Sequence, residues 1–230
     1  MPKVIKKKVV KPVKAEEGVK NVIHDTREFI YEKQRILLPA IIALVIVCMA
    51  AAGFLIYRSS TKKEAAALEY DGYKLYYGLY QKQPFAKEEH YQKALEKFRK
   101  AYEKRESPLS LFYIASCSYA LGKFDDALKA LKELNERFPD NDRFVPLSYY
   151  KMAVINLRKG DREAALKLLD TLYNHRAGMF KDLALVESAR LLDKMGKKND
   201  SVKKYEELAK NFPNSPFADE AKAKLQEKKS

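Results

Sequence analysis

An uncharged run, ILLPAIIALVIVCMAAAGFLIY, lies between Arg35 and Arg58 and constrains the fold more than any other feature. A helix rises about 1.5 Å per residue, so its roughly 22 residues span about 33 Å, enough to cross a hydrocarbon core about 30 Å thick. Beyond it the chain is charged and patterned for helices. The sequence therefore reads as a transmembrane helix (36–57) carrying one domain (58–230) of about 170 residues, large enough to bury a core.

A removable signal would look different. Signal h-regions run about 7–15 residues, whereas this run is longer and follows an extended polar segment. Ala50 and Ala52 form an A-x-A-like pair, but Phe54, Leu55, Ile56 and Tyr57 continue the apolar run past it. Val47 before Cys48 does not suit a lipoprotein signal. A retained span is the expectation, with Pro39 in its first turn, where a missing N–H costs least, and Tyr57 at its far interface.

The flank before the span holds Lys3, Lys6, Lys7, Lys8, Lys11, Lys14, Lys20, Arg27, Lys33 and Arg35. Short flanks weigh most in setting orientation, so the tail is expected in the cytoplasm and the domain outside. Residues 1–24 lack helical periodicity and read as a disordered basic tail. Its lysines either fix topology alone or also hold anionic lipid headgroups, at about 1 kcal/mol each. Residues 25–35 read as a juxtamembrane helix capped by Asp25 or Thr26.

Composition favours an all-α domain: 33% charged residues, 8 Gly, 9 Pro and no Trp leave little for a turn-rich β fold. The net charge of +14 comes without a concentrated Arg stripe or a recognition motif, so nucleic acid is not an expected partner. Cys48 lies in the span and Cys117 in the domain, which excludes a disulfide between them.

Gly122, Gly160 and Gly196 recur at intervals of about 37 residues, each between two helix-patterned segments. Each suits the left-handed conformation that ends a helix. Past each glycine come Ala127, Ala165 and Ser201, small residues fit for a close helix crossing. Then follow Leu131, Leu169 and Tyr205, and Leu134, Leu172 and Leu208, at i, i+4, i+7 spacing. Pro139 and Pro213 close two units in the phrases ERFPDN and KNFPNS. An earlier half-matching unit has Ala94, Phe98 and Ala101 in its second helix and EAAALEYDGYKLYYGLYQK as its first, joined by a loop with Pro84. SPFADEAKAKLQEKK reads as a terminal capping helix started by Ser215 and Pro216.

These residues resemble the tetratricopeptide repeat, with Leu111, Ile114, Ala115 and Tyr119, then Tyr149, Met152, Ala153 and Leu157, then Leu185, Ala189 and Leu192 at first-helix positions. The resemblance implies an α-solenoid of about three to four helix pairs whose first helices line a concave groove. Carried over by position, the groove candidates are Phe112, Tyr113, Ser116 and Tyr119, then Tyr150, Lys151, Val154 and Arg158, then Val186, Glu187, Arg190 and Lys194. The family's clamp for a chaperone's terminal carboxylate uses Lys and Asn where this chain has Phe112 and Ser116, so that specialised role is not expected. A separate aromatic stripe, Tyr70, Tyr73, Tyr77 and Tyr80, either packs on the second helix of its unit or forms a partner surface.

No catalytic constellation is present. His24, His90 and His175 are scattered, no CxxC or glycine-rich phosphate loop occurs, and Asp125–Asp126 and Glu206–Glu207 read as solvated helix surface. An enzyme, a cofactor or a metal site is not expected.

The layout of charged helix, single span, basic exit (YRSSTKKEAAALEYDGY) and degenerate repeats is similar to the YfgM-like ancillary SecYEG translocon subunit family. That likeness implies a bacterial inner-membrane protein with a periplasmic domain. It would work beside the translocon, with a membrane-anchored chaperone, on unfolded exported clients. NFPNSPFADEAKAKL also looks like repeats of envelope assembly and division-coordinating proteins, which leaves a structural scaffold as the alternative. With reversed topology the reading would become a cytosol-facing adaptor or import receptor.

Overall fold

The computed structural model describes residues 14–79 and 87–227. Among the described residues the secondary structure is helical throughout. The helices are α1 (Lys14–Tyr77), α2 (Lys87–Lys104), α3 (Pro108–Ala120), α4 (Phe124–Arg137), α5 (Phe144–Lys159), α6 (Arg162–Tyr173), α7 (Lys181–Lys194), α8 (Lys198–Asn211) and α9 (Ala218–Glu227). The chain divides into two units, Met1–Ser59 and Ser60–Ser230.

In the first unit, every described side chain from Ile36 to Tyr57 is exposed, Ile36 at 70% and Ile56 at 71%. Water does not tolerate so long an apolar surface on a helix; lipid or another protein must cover it. Among the described residues, one helix is long and apolar enough to cross a membrane. The expected break between tail, juxtamembrane helix and span does not occur. The described part of the tail, from Lys14 on, already belongs to α1, and Asp25 and Thr26 lie inside it rather than capping it. Lys14, Ala15, Glu16, Glu17 and Lys20 are good helix formers, and Gly18 is the least favourable residue among them. The remainder of the tail lies outside the described residues.

In the second unit, the C-terminal part of α1 and α2 form the first helix pair, followed by α3/α4, α5/α6 and α7/α8, with α9 as the terminal helix. The core is a string of small clusters rather than one centre, as a solenoid requires. Ala94, Leu95 and Phe98 of α2 meet Cys117 of α3, with Leu75 and Tyr76 of α1 against them. Leu111, Leu134, Phe144 and Val145 join α3, α4 and α5. Ala115, Ala127, Ala130, Leu131, Met152 and Ile155 bind the same three helices again. Ala153, Ala165, Leu169 and Leu191 link α5, α6 and α7, and Leu185, Val186, Ala189, Tyr205, Leu208 and Ala221 link α7, α8 and α9. The small residues expected at the helix crossings, Ala127, Ala165 and Ser201, are buried; Ser201 donates from Oγ to the Ala189 carbonyl at 2.8 Å.

Local signals explain the helix ends. Gly160 is left-handed at φ 86° and ends α5, and Gly122 and Gly196 are left-handed as well. Asp161 then caps α6 by accepting from the Ala164 N–H at 2.9 Å. Ser107 caps α3 in the same way, accepting from Ser110 N–H at 3.0 Å, with Pro108 at the first helical position. Pro139 and Pro213 follow the ends of α4 and α8. The terminal helix starts at Ala218, two residues past Pro216, because Ser215 Oγ donates to Asp182 on α7 and accepts from Phe217 N–H instead of capping.

Candidate partner-binding groove

The first helix of each pair presents side chains that touch across to the next pair. At one end, Tyr113 of α3 lies edge-on to Tyr73, Tyr76 and Tyr77 of α1, with ring centroids at 5.9, 5.3 and 6.4 Å. It stacks on Phe98 at 4.8 Å, and its hydroxyl lies 3.4 Å from that of Tyr77. Burial, then the Tyr77 hydrogen bond, raises the Tyr113 pKa, and burial pushes Tyr76 up to about 12. Both phenols are neutral across the physiological range.

In the middle, the Lys151 ammonium sits 5.3 Å from the Phe112 ring centre and 5.6 Å from that of Tyr119. Arg158 Nε donates to the Tyr119 hydroxyl at 3.3 Å. Desolvation holds Lys151 below the usual lysine range. At the far end, Arg190 donates to Glu187 at 2.8 Å and to both carboxylate oxygens of Glu220 on α9. Burial, then the Glu187 charge, raises the Tyr150 pKa on α5, and Arg190 opposes the rise. Contact therefore runs from α1 through α3, α5 and α7 to α9 along first-helix side chains.

The expected site residues divide three ways. Phe112, Tyr113, Tyr119, Tyr150, Lys151 and Val154 are half-buried, and Arg158 and Lys194 are exposed. Glu187 and Arg190 are engaged with each other, and Arg190 also with Glu220 of α9. Two expectations are corrected. Val186 is wholly buried, because Ala221 of α9 closes over that edge of α7. Ser116 is buried at 2% exposure and donates back to the Phe112 carbonyl at 2.8 Å, so it is no surface donor. In the aromatic stripe, Tyr70, Tyr73 and Tyr77 are 58, 41 and 53% exposed; Tyr80 lies outside the described residues. Two of the acidic side chains read as solvated surface make contacts between repeats: Asp125 with Lys159, and Glu207 with the Tyr173 hydroxyl.

Sequence reasoning missed Glu220 of α9 and Phe217 just before that helix, which both reach Arg190, the ring centre of Phe217 lying 5.8 Å from its guanidinium carbon. It also missed Glu69 of α1, which accepts from both Ser107 and Ser110 at the start of α3. Surface hollows of about 430, 730 and 350 Å³ are lined mostly by Lys, Arg, Asp and Glu and lack the apolar walls of a small-molecule site. Among the described residues no group of three His, Cys, Asp or Glu side chains stands close enough to hold a metal ion.

Stacked helix pairs with a continuous first-helix face define a protein–protein interaction module. Residues 35–228 match the family described as tetratricopeptide repeat-like domain, and the chain belongs to it. Among solved structures, the crystal structure of MamA is similar at 16% identity, with a TM-score of 0.44, covering 60% of this chain and 86% of that one. No curated protein matches this chain in sequence.

Proposed function

We propose that this protein is a membrane-anchored module of the bacterial envelope that holds extended polypeptide against the first-helix row, as an accessory of protein export. The observation that carries this reading is the row itself: half-buried aromatics at Tyr113, Tyr119 and Tyr150, with a cation at Lys151, give both apolar and polar contacts without a closed pocket. The uncovered apolar span supports anchoring, and the lysine-rich tail supports a cytoplasmic N-terminus with the repeats in the periplasm. On this reading the partners are a translocon or a membrane-anchored chaperone and unfolded exported clients, with anionic headgroups against the tail.

The test is photocrosslinking in membranes from Tyr113 and from Tyr77, with the captured proteins identified. Many exported proteins at Tyr113 support client binding. A single partner captured at Tyr77 that also co-purifies stoichiometrically, with the co-purification lost when Tyr73 and Tyr77 become Ala, would replace it with a structural scaffold. The second reading is favoured by one observation, the exposure of Tyr70 and Tyr77 by more than half. A cytoplasm-only reporter fused after Ser230 stays silent if the domain is periplasmic; activity would shift the reading to a cytosol-facing adaptor.

A further inference from the structure

Lys151 and Arg158 lie on α5 seven residues apart, about 10 Å along the helix and on one face. Tyr119 holds both: its ring faces the Lys151 ammonium and its hydroxyl accepts from Arg158. The Phe112 ring also lies against the Lys151 ammonium, its centre 5.3 Å away. Among the described residues neither cation has a carboxylate within ion-pair distance, whereas Arg190, on the next first helix, has two. The nearby Cys117 thiol does not compensate, since burial pushes it up to about 12 and leaves it neutral. Burying an ammonium without a counter-ion is costly, and a bound anion removes that cost.

We infer that Lys151 and Arg158 form an acidic subsite on the first-helix row, taking two carboxylate side chains of an extended polypeptide. The subsite presupposes the polypeptide-holding face proposed above and gives it a preference. Two positive groups ask for two negative ones, which a segment with neighbouring Asp or Glu residues provides and a single chain terminus does not. In the extended polyproline II conformation a chain rises about 3.1 Å per residue with three residues per turn, so carboxylates at i and i+3 lie on one face about 9 Å apart and span the two cations. The aromatic groups beside the cations suit the backbone and apolar side chains between the acids. Held in place by Tyr119, the two cations are pre-organised, which limits the ordering cost of binding.

The experiment uses the full chain in detergent and three fluorescent peptides. One is end-blocked with a central Asp-Ser-Ser-Asp, the second is its Asn-Ser-Ser-Asn twin, and the third is that twin with a free C-terminal carboxylate. The Asp peptide is expected to bind about tenfold tighter than the blocked Asn twin, and high salt to shrink the gap. Lys151→Met combined with Arg158→Gln removes the preference, so that in this variant the Asp peptide binds no tighter than its Asn twin. Equal binding of the Asp and Asn peptides, both weakened by Tyr113→Ala, overturns the subsite and leaves the holding face intact. A preference that survives the double variant overturns it as well. A free-carboxylate peptide equal to the Asp peptide replaces it with a terminus site. Failure of all three peptides to bind removes the holding face together with the subsite.

Discussion

Arg190 of α7 holds both carboxylate oxygens of Glu220 on α9, so the terminal helix is tied to the first-helix row through one guanidinium. The pair keeps the Glu220 carboxyl below its ordinary value of 4.5, chiefly through the Arg190 hydrogen bond. A lowered folded-state pKa means stability that is present in full above the unfolded value and lost as pH falls through the folded one. Side-chain exposures of 31% and 38% let water screen the pair, which limits its worth to about 1 kcal/mol. Glu220→Gln should therefore speed amide exchange in α9 at neutral pH, with the difference from the parent shrinking as pH falls through the lowered folded-state pKa of Glu220. A difference that does not shrink on acidification would place the tie elsewhere.

Gly72 lies against Phe98, and a Cβ built on it would stand 3.0 Å from the ring. Phe98 is fully buried and stacked on Tyr113, so the ring has nowhere to retreat. Gly72→Ala gains about 1 kcal/mol of helix propensity but overpacks a site where such changes cost about 1–3 kcal/mol. A net loss of roughly 1 kcal/mol is expected, and pairing it with Phe98→Leu should recover part of it in a double-mutant cycle of thermal melts. A stabilised single variant would mean that the ring does yield.

Gly160 ends α5 at φ 86°, a conformation that costs an alanine about 1 kcal/mol. Nothing crowds the position, so the backbone alone carries the effect. Gly160→Ala should destabilise by roughly that amount and Gly160→Asn by less, since Asn tolerates the left-handed region. Equal losses for the two would point to a contact instead.

Leu131 is fully buried among α3, α4 and α5. Leu131→Ala should cost about 3 kcal/mol, the usual range for such truncations being about 2–5 kcal/mol. Urea unfolding of the detergent-solubilised chain reads this directly; a loss below about 1 kcal/mol would show that the cluster collapses around the gap.

The repeat was legible because its signals are local. Gly122, Gly160 and Gly196 announce the turns, and Ala127, Ala165 and Ser201 announce the crossings, each within one unit. Face assignment was harder, because it depends on what docks from outside the unit. Val186 stands where a groove residue is expected, yet Ala221 on α9 closes over it, and nothing near Val186 in sequence signals that contact. Glu220 escaped notice for the same reason: its partner lies 30 residues back. The tie of Lys151 and Arg158 through Tyr119 was half-legible. Their spacing on α5 puts both cations on one face, but the aromatic residue between them comes from the preceding unit.

The central claim is that polypeptide lies on the first-helix row rather than on the outer helices. Val154 on α5 and Lys167 on α6 belong to the same repeat and test it as a pair. With a photocrosslinking residue at each position in turn, in intact membranes, position 154 should give several-fold more polypeptide adducts than position 167. Equal yields, or more at 167, would contradict the account.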